Sequence, residues 1–93
     1  MALSTLARRT LKQALADNAV GKEIADVIDA GSGTLSTAAK NRLIAVIGDR
    51  TTAGAIATAI NAGTAITGPQ QAELGVALGN RVVAQEIATA LAL

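Results

Sequence analysis

Residues Leu43–Gly63 read LIAVIGDRTTAGAIATAINAG, and residues Leu74–Ala92 read LGVALGNRVVAQEIATALA. Laid over one another, they are two versions of one pattern. An apolar stretch meets a turn of Gly, Asp or Asn, and Arg, and a second apolar stretch ends on Ala with Ile or Leu. A third version lies upstream at Leu11–Gly31, LKQALADNAVGKEIADVIDAG. Leu11, Leu43 and Leu74 lie 32 and 31 residues apart. The same steps relate Leu15, Ile47 and Leu78, then Ile24, Ile56 and Ile87, then Ile28, Ile60 and Leu91. The turn residues Asp17, Asp49 and Asn80 keep the spacing, as do the starts Leu3-Ser4, Leu35-Ser36 and Ile66-Thr67. A fixed period of this length marks tandem supersecondary units. The chain therefore reads as a single domain, 1–93, made of repeat 1 (3–34), repeat 2 (35–65) and repeat 3 (66–93), with one deletion between the last two.

Each unit reads as two short helices. Ser4, Ser36 and Thr67 are side chains that accept a hydrogen bond from the free amides of a helix start. The apolar residue before each suits a hydrophobic staple, and Thr67-Gly-Pro-Gln70 places Gln at the capping-box position. Pro69 fits such a first turn, where its missing amide proton costs nothing. Leu11, Ala14 and Leu15 form an i, i+3, i+4 stripe, repeated as Leu43, Val46, Ile47 and as Leu74, Ala77, Leu78. Gly48 and Gly79, with Ala16 in the first copy, fall where a left-handed residue ends a helix. Asp17, Asp49 and Asn80 then cap the second helix. Its stripe is Val20, Ile24, Val27, Ile28, echoed by Thr52, Ile56, Ala59, Ile60 and by Val83, Ile87, Ala90, Leu91. Gly31 and Gly63 end it. The spacing predicts six helices near 4–16, 18–30, 36–48, 50–62, 67–79 and 81–92. No segment alternates with period two, so no strand is expected. The fold class is all-α: three tandem αα-hairpins, packed as a compact array or a short solenoid.

Composition removes whole classes of function. The chain has no His, Cys, Trp, Tyr or Phe. It therefore lacks an imidazole base, a thiolate nucleophile, the usual zinc ligands and aromatic stacking platforms. No catalytic, cofactor-binding or metal-ligating residue is expected, and the chain reads as non-enzymatic. A formal net charge of +1 is too small to drive binding to nucleic acid or an anionic membrane. Residues 51–72 carry no formal charge, but they hold five Thr and only three bulky apolar residues. That is too polar for a spanning helix. The N-terminus MALSTLARRT shows no apolar signal-peptide core, so synthesis in the cytoplasm is expected.

Several local features invite a functional reading and are answered by a plainer one. Gly31-Ser-Gly-Thr-Leu-Ser36 looks like a phosphate cradle. It follows a helix and lacks the lysine of a phosphate-binding loop, so it reads as a linker. Glu23, Asp26 and Asp29 share a helix and suggest a hard-cation site. Lys22, four residues before Asp26, makes a solvated ion-paired face the simpler reading. Arg8, Arg9 and Lys12, with Lys40 and Arg42, form a small basic cluster. The acids of repeat 1 balance its bases, repeat 2 carries +2 and repeat 3 carries −1, which is no nucleic-acid footprint.

The residues that point outward are apolar ones in places where sister repeats are polar or small. Ile44 corresponds to Lys12 and Gly75, Val76 to Gln13 and Ala45, and Val82 to Ala19 and Thr51. Arg50 and Arg81 both follow a cap, where a cation opposes the helix dipole. The blander account is an Arg paired to the neighbouring Asp. Ile44, Val76, Val82, Arg50, Arg81 and the terminal Leu93, reached through Leu91-Ala92, are the candidate partner contacts. A core built so largely from Ala adds to this expectation, because such a core contributes little apolar area per side chain.

The recurring Leu-containing helix, GDR or GNR turn and EIA-type second helix resemble alanine-rich repeats of virion structural proteins of tailed bacteriophages. The likeness runs through nearly everything from Ser4 onward, although Ala16-Asp-Asn18 departs from it at the first turn. The resemblance implies a head- or tail-associated structural component: a capsid decoration or cement protein, or a fibre-base module. It implies virion localisation, partners among other virion proteins or further copies of the chain, and no cofactor. The alternatives are a nucleic-acid-associated helical protein, or a stand-alone or designed repeat scaffold.

Overall fold

A computed structural model describes residues 3–92 and contains six α-helices and no strand among them. They are α1 (Thr5–Ala14), α2 (Asn18–Ala30), α3 (Thr37–Ile47), α4 (Arg50–Ala62), α5 (Gly68–Leu78) and α6 (Arg81–Ala92). Each begins where a polar side chain satisfies an otherwise free amide. Ser4, Asp17, Ser36, Asp49 and Thr67 sit in extended backbone and accept from the amide three residues on. Asn80 accepts from Val83 in the same way. Thr67 and Gln70 complete the reciprocal capping box, with Pro69 in the first turn. Such caps contribute about 0.5–2 kcal/mol each. Gly31, Gly48, Gly63 and Gly79 end their helices at positive φ. At the equivalent place in repeat 1, Ala16 takes φ 55° without being glycine.

Helices of 10–13 residues are too short to persist alone, so packing must hold them. α1 packs on α2, α3 on α4 and α5 on α6. The hairpins then meet in order: α2 lies on α3, α4 on α5, and α6 returns to lie on α1. The chain spans 27 × 25 × 24 Å. A short solenoid would be drawn out along one axis, so the solenoid alternative is set aside. The array is a closed ring of three hairpins, with its last helix docked on its first.

The ring encloses one continuous core. Leu11, Leu15, Ile24 and Ile28 are buried in it, as are Leu43, Ile56 and Ile60, and Leu74, Leu78, Ile87 and Leu91. Among the repeated Leu and Ile positions Ile47 is only half-buried, as are the intervening stripe residues Ala14, Val27, Val46, Thr52, Ala77 and Ala90. Ala7, Ala25, Ala39, Ala53, Ala57 and Ala84 fill the gaps between helices. Leu91, the counterpart of Ile28 and Ile60 in the stripe, is buried in the core, so it offers no partner contact. Leu93 lies outside the described residues.

The hairpins differ at one crossing point. In repeat 1, a Cβ on Gly21 would lie 2.7 Å from the Lys12 Cα, so only glycine allows that approach. In repeat 3 the glycine stands on the other helix, with Gly75 facing Ala84. Repeat 2 has Ile44 and Ala53 there and no glycine on either side. Fewer residues of α3 and α4 lie against one another than in the other two hairpins.

Candidate interaction surface

The seams between hairpins account for two of the seven carboxylates. Glu23 accepts from the Ser36 amide at 2.6 Å and from its hydroxyl at 3.0 Å, joining repeat 1 to repeat 2. Glu86 accepts from the Ser4 amide at 2.6 Å and from its hydroxyl at 2.9 Å, joining repeat 3 back to repeat 1. The remaining seam has Ala55 in place of Glu, and there Gln70 supplies an acceptor for the Thr67 amide at 3.0 Å. Within repeats, Asp29 accepts from the Leu3 amide at 2.6 Å, and Asn61 accepts from the Leu35 amide at 2.8 Å. The Gly33 amide also donates to the Asn61 carbonyl. Two amides of the Gly31–Ser36 loop are thus spent on holding it to repeat 2, as a linker would be.

The acidic residues of repeat 1 are likewise divided among separate partners. Asp26 takes Lys22 at 2.8 Å and Arg8 at 3.0 Å, and Asp29 takes Arg8. Lys22 and Arg8, in that order, hold the Asp26 carboxyl below its ordinary range by donating hydrogen bonds to its charged form. The hydrogen bonds to Asp29 and Asp26 in turn raise the Arg8 pKa above its ordinary value. Glu23, Asp26 and Asp29 therefore do not converge, and no metal-holding cluster of three His, Cys, Asp or Glu occurs among the described residues. Arg8 is also withdrawn from the basic cluster that the sequence placed around it.

What is left free is cationic and aliphatic. Arg9, Lys12, Lys40, Arg42, Arg50 and Arg81 make no ion pair among the described residues. The expected pairing of Arg50 with Asp49 does not occur, since Asp49 is turned to the Thr52 amide. Of the seven acidic residues, Glu73 alone neither caps a helix nor joins an ion pair or seam among the described residues. It is exposed on α5. Val76 is 84% exposed and Val82 69% exposed. Ile44 is half-buried against the core. Leu6, 52% exposed, escaped the sequence reading. Its signal was there, because its repeat equivalents are Ala38 and Pro69.

Two surface features combine these groups. Between α3 and α4, a groove of about 210 Å³ is lined by Lys40, Ile44, Arg50, Ala53, Gly54, Ala57 and Thr58. Its floor is apolar and two unpaired cations line it. On α5, Pro69, Ala72, Glu73 and Val76 line one patch, with Glu73 and Val76 three residues apart on the same helix face. No described helix is long and apolar enough to cross a membrane. No family model, curated protein or solved structure matches the chain.

Proposed function

We propose that the chain is a non-enzymatic structural protein of a tailed-phage virion, a capsid decoration, cement or fibre-base module that works by presenting helix faces to other proteins. The observation that carries the interaction reading is Val76. It stands 84% exposed on a molecule whose other long aliphatic side chains mostly converge on one core. A β-branched side chain on a helix surface adds nothing to helix propensity, and contact with another molecule gives it a use. The absence of His and Cys, and the commitment of six carboxylates to caps, seams and ion pairs, leave little for acid–base chemistry. The virion assignment itself rests on the resemblance of the GDR and GNR repeats. Mass-spectrometric inventory of purified particles from the source phage tests it. The chain at a stoichiometry set by capsid or tail symmetry supports the reading. Its absence from washed particles, with abundant expression in infected cells, ends it.

A further inference from the structure

We infer that the groove between α3 and α4 receives the Glu73–Val76 face of α5 from a second copy of this chain. The inference deepens the reading of the chain as an assembly protein and rests on it only in that respect. The groove lies where the repeats differ in sequence: the equivalent crossing holds Gly21 against Lys12 in repeat 1 and Gly75 against Ala84 in repeat 3, whereas repeat 2 places Ile44 and Ala53 there with no glycine, and both line the groove. The depression is floored by Ile44, Ala53, Gly54 and Ala57, with Lys40 and Arg50 unpaired beside it. Space at Gly54 is open, since a Cβ built there meets nothing within 4 Å.

The complement stands on the same molecule. Glu73 is the acidic residue left without an internal partner among the described residues, and Val76 is the most exposed of the large hydrophobics. Seating this face would bury Val76 on Ile44 and Ala57 and bring Glu73 to Lys40 or Arg50. Apolar burial then supplies the affinity, and the charge pair sets the direction in which the helix lies. The two surfaces are unlike. Reciprocal contacts give a two-fold dimer, and successive contacts give a ring or filament.

Sedimentation velocity of the purified full chain over a concentration series tests this, with helix content checked by circular dichroism for every variant. Wild type is expected to self-associate with rising concentration, more weakly at high salt. Gly54→Leu projects a side chain into the groove from a position where a Cβ meets nothing within 4 Å, and it improves helix propensity. It should weaken association about tenfold or more, and Val76→Asp should do the same. Glu73→Lys alone and the pair Lys40→Glu with Arg50→Glu should each weaken it, and a mixture of the two proteins should associate again. A wild-type chain that stays monomeric throughout overturns the inference. So does association that Gly54→Leu and Val76→Asp leave unchanged. Incorporation of such a monomer into particles would leave the virion reading standing while the self-contact fell.

Discussion

Glu86, near the end of the chain, holds Ser4, near its start, by the same two hydrogen bonds with which Glu23 holds Ser36. One junction joins neighbouring repeats along the chain, and the other joins residues 82 positions apart. The chemistry that links successive hairpins is thus also the chemistry that shuts the ring.

Removing either carboxylate should therefore cost alike. Glu86→Ala and Glu23→Ala are each expected to lower stability by about 1 kcal/mol, the range of a lost helix cap. Urea denaturation measures the loss, and hydrogen exchange locates it. In Glu86→Ala the Ser4 amide should exchange faster while the Ser36 amide keeps its protection. Equal protection at Ser4 in both proteins would mean that the seam does not hold in solution.

Gly63 and Gly48 both end helices at positive φ, 70° and 81°, yet they should tolerate alanine differently. A Cβ at Gly63 would fall 1.8 Å from the Gly31 carbonyl oxygen, and one at Gly48 meets nothing within 4 Å. Gly48→Ala carries only the left-handed backbone penalty, about 1 kcal/mol. Gly63→Ala adds a backbone collision between two repeat ends and should cost about 3 kcal/mol. Similar melting temperatures for the two variants would contradict the close approach.

Ala16 offers the reverse case. Its φ of 55° is one that sister repeats give to Gly48 and Gly79. Ala16→Gly should stabilise the chain by up to about 1 kcal/mol, because relief of the backbone strain is partly offset by the greater freedom glycine has when unfolded. A lower denaturation midpoint for Ala16→Gly would show that the strain is absent.

Asp26 sets a pH dependence. Its carboxyl titrates below its ordinary 3.8 in the folded chain because Lys22 and Arg8 favour the charged form. The unfolded chain then binds more protons in that range, so the stabilisation is present above the ordinary value and is lost as pH falls through the folded one. Asp26→Asn should therefore melt below wild type at neutral pH, and the gap should close in acid. A gap that persists unchanged below the folded titration would assign the effect to packing instead.

Much of the fold was legible because it is local. A cap needs a side chain and an amide three residues on, and a helix stop needs one residue that accepts positive φ. A stripe needs only the period of the helix. Ser4, Asp17 and Thr67, the four terminal glycines and the repeated Leu and Ile positions all act within that range, and all but the half-buried Ile47 stand in the structure as the repeat predicts. The partners of Glu23 and Glu86 were harder to read. Their signal was the presence of Glu at two equivalent positions, with Ala55 at the third beside the self-capping Thr67-Gly-Pro-Gln70.

The sequence by itself determined three capped hairpins and the faces they would bury. Only the tertiary structure decided that the hairpins close on one another instead of extending, because the angle between repeats depends on how closely helices cross. That closeness turns on single contacts between repeats, such as Gly63 against the Gly31 carbonyl and Glu86 against Ser4, which no hydrophobic period encodes. Closure also decided which aliphatic side chains remain outside. Leu91 goes into the core because α6 meets α1, and Val76 stays out because its face of α5 has no helix left within the ring to cover it.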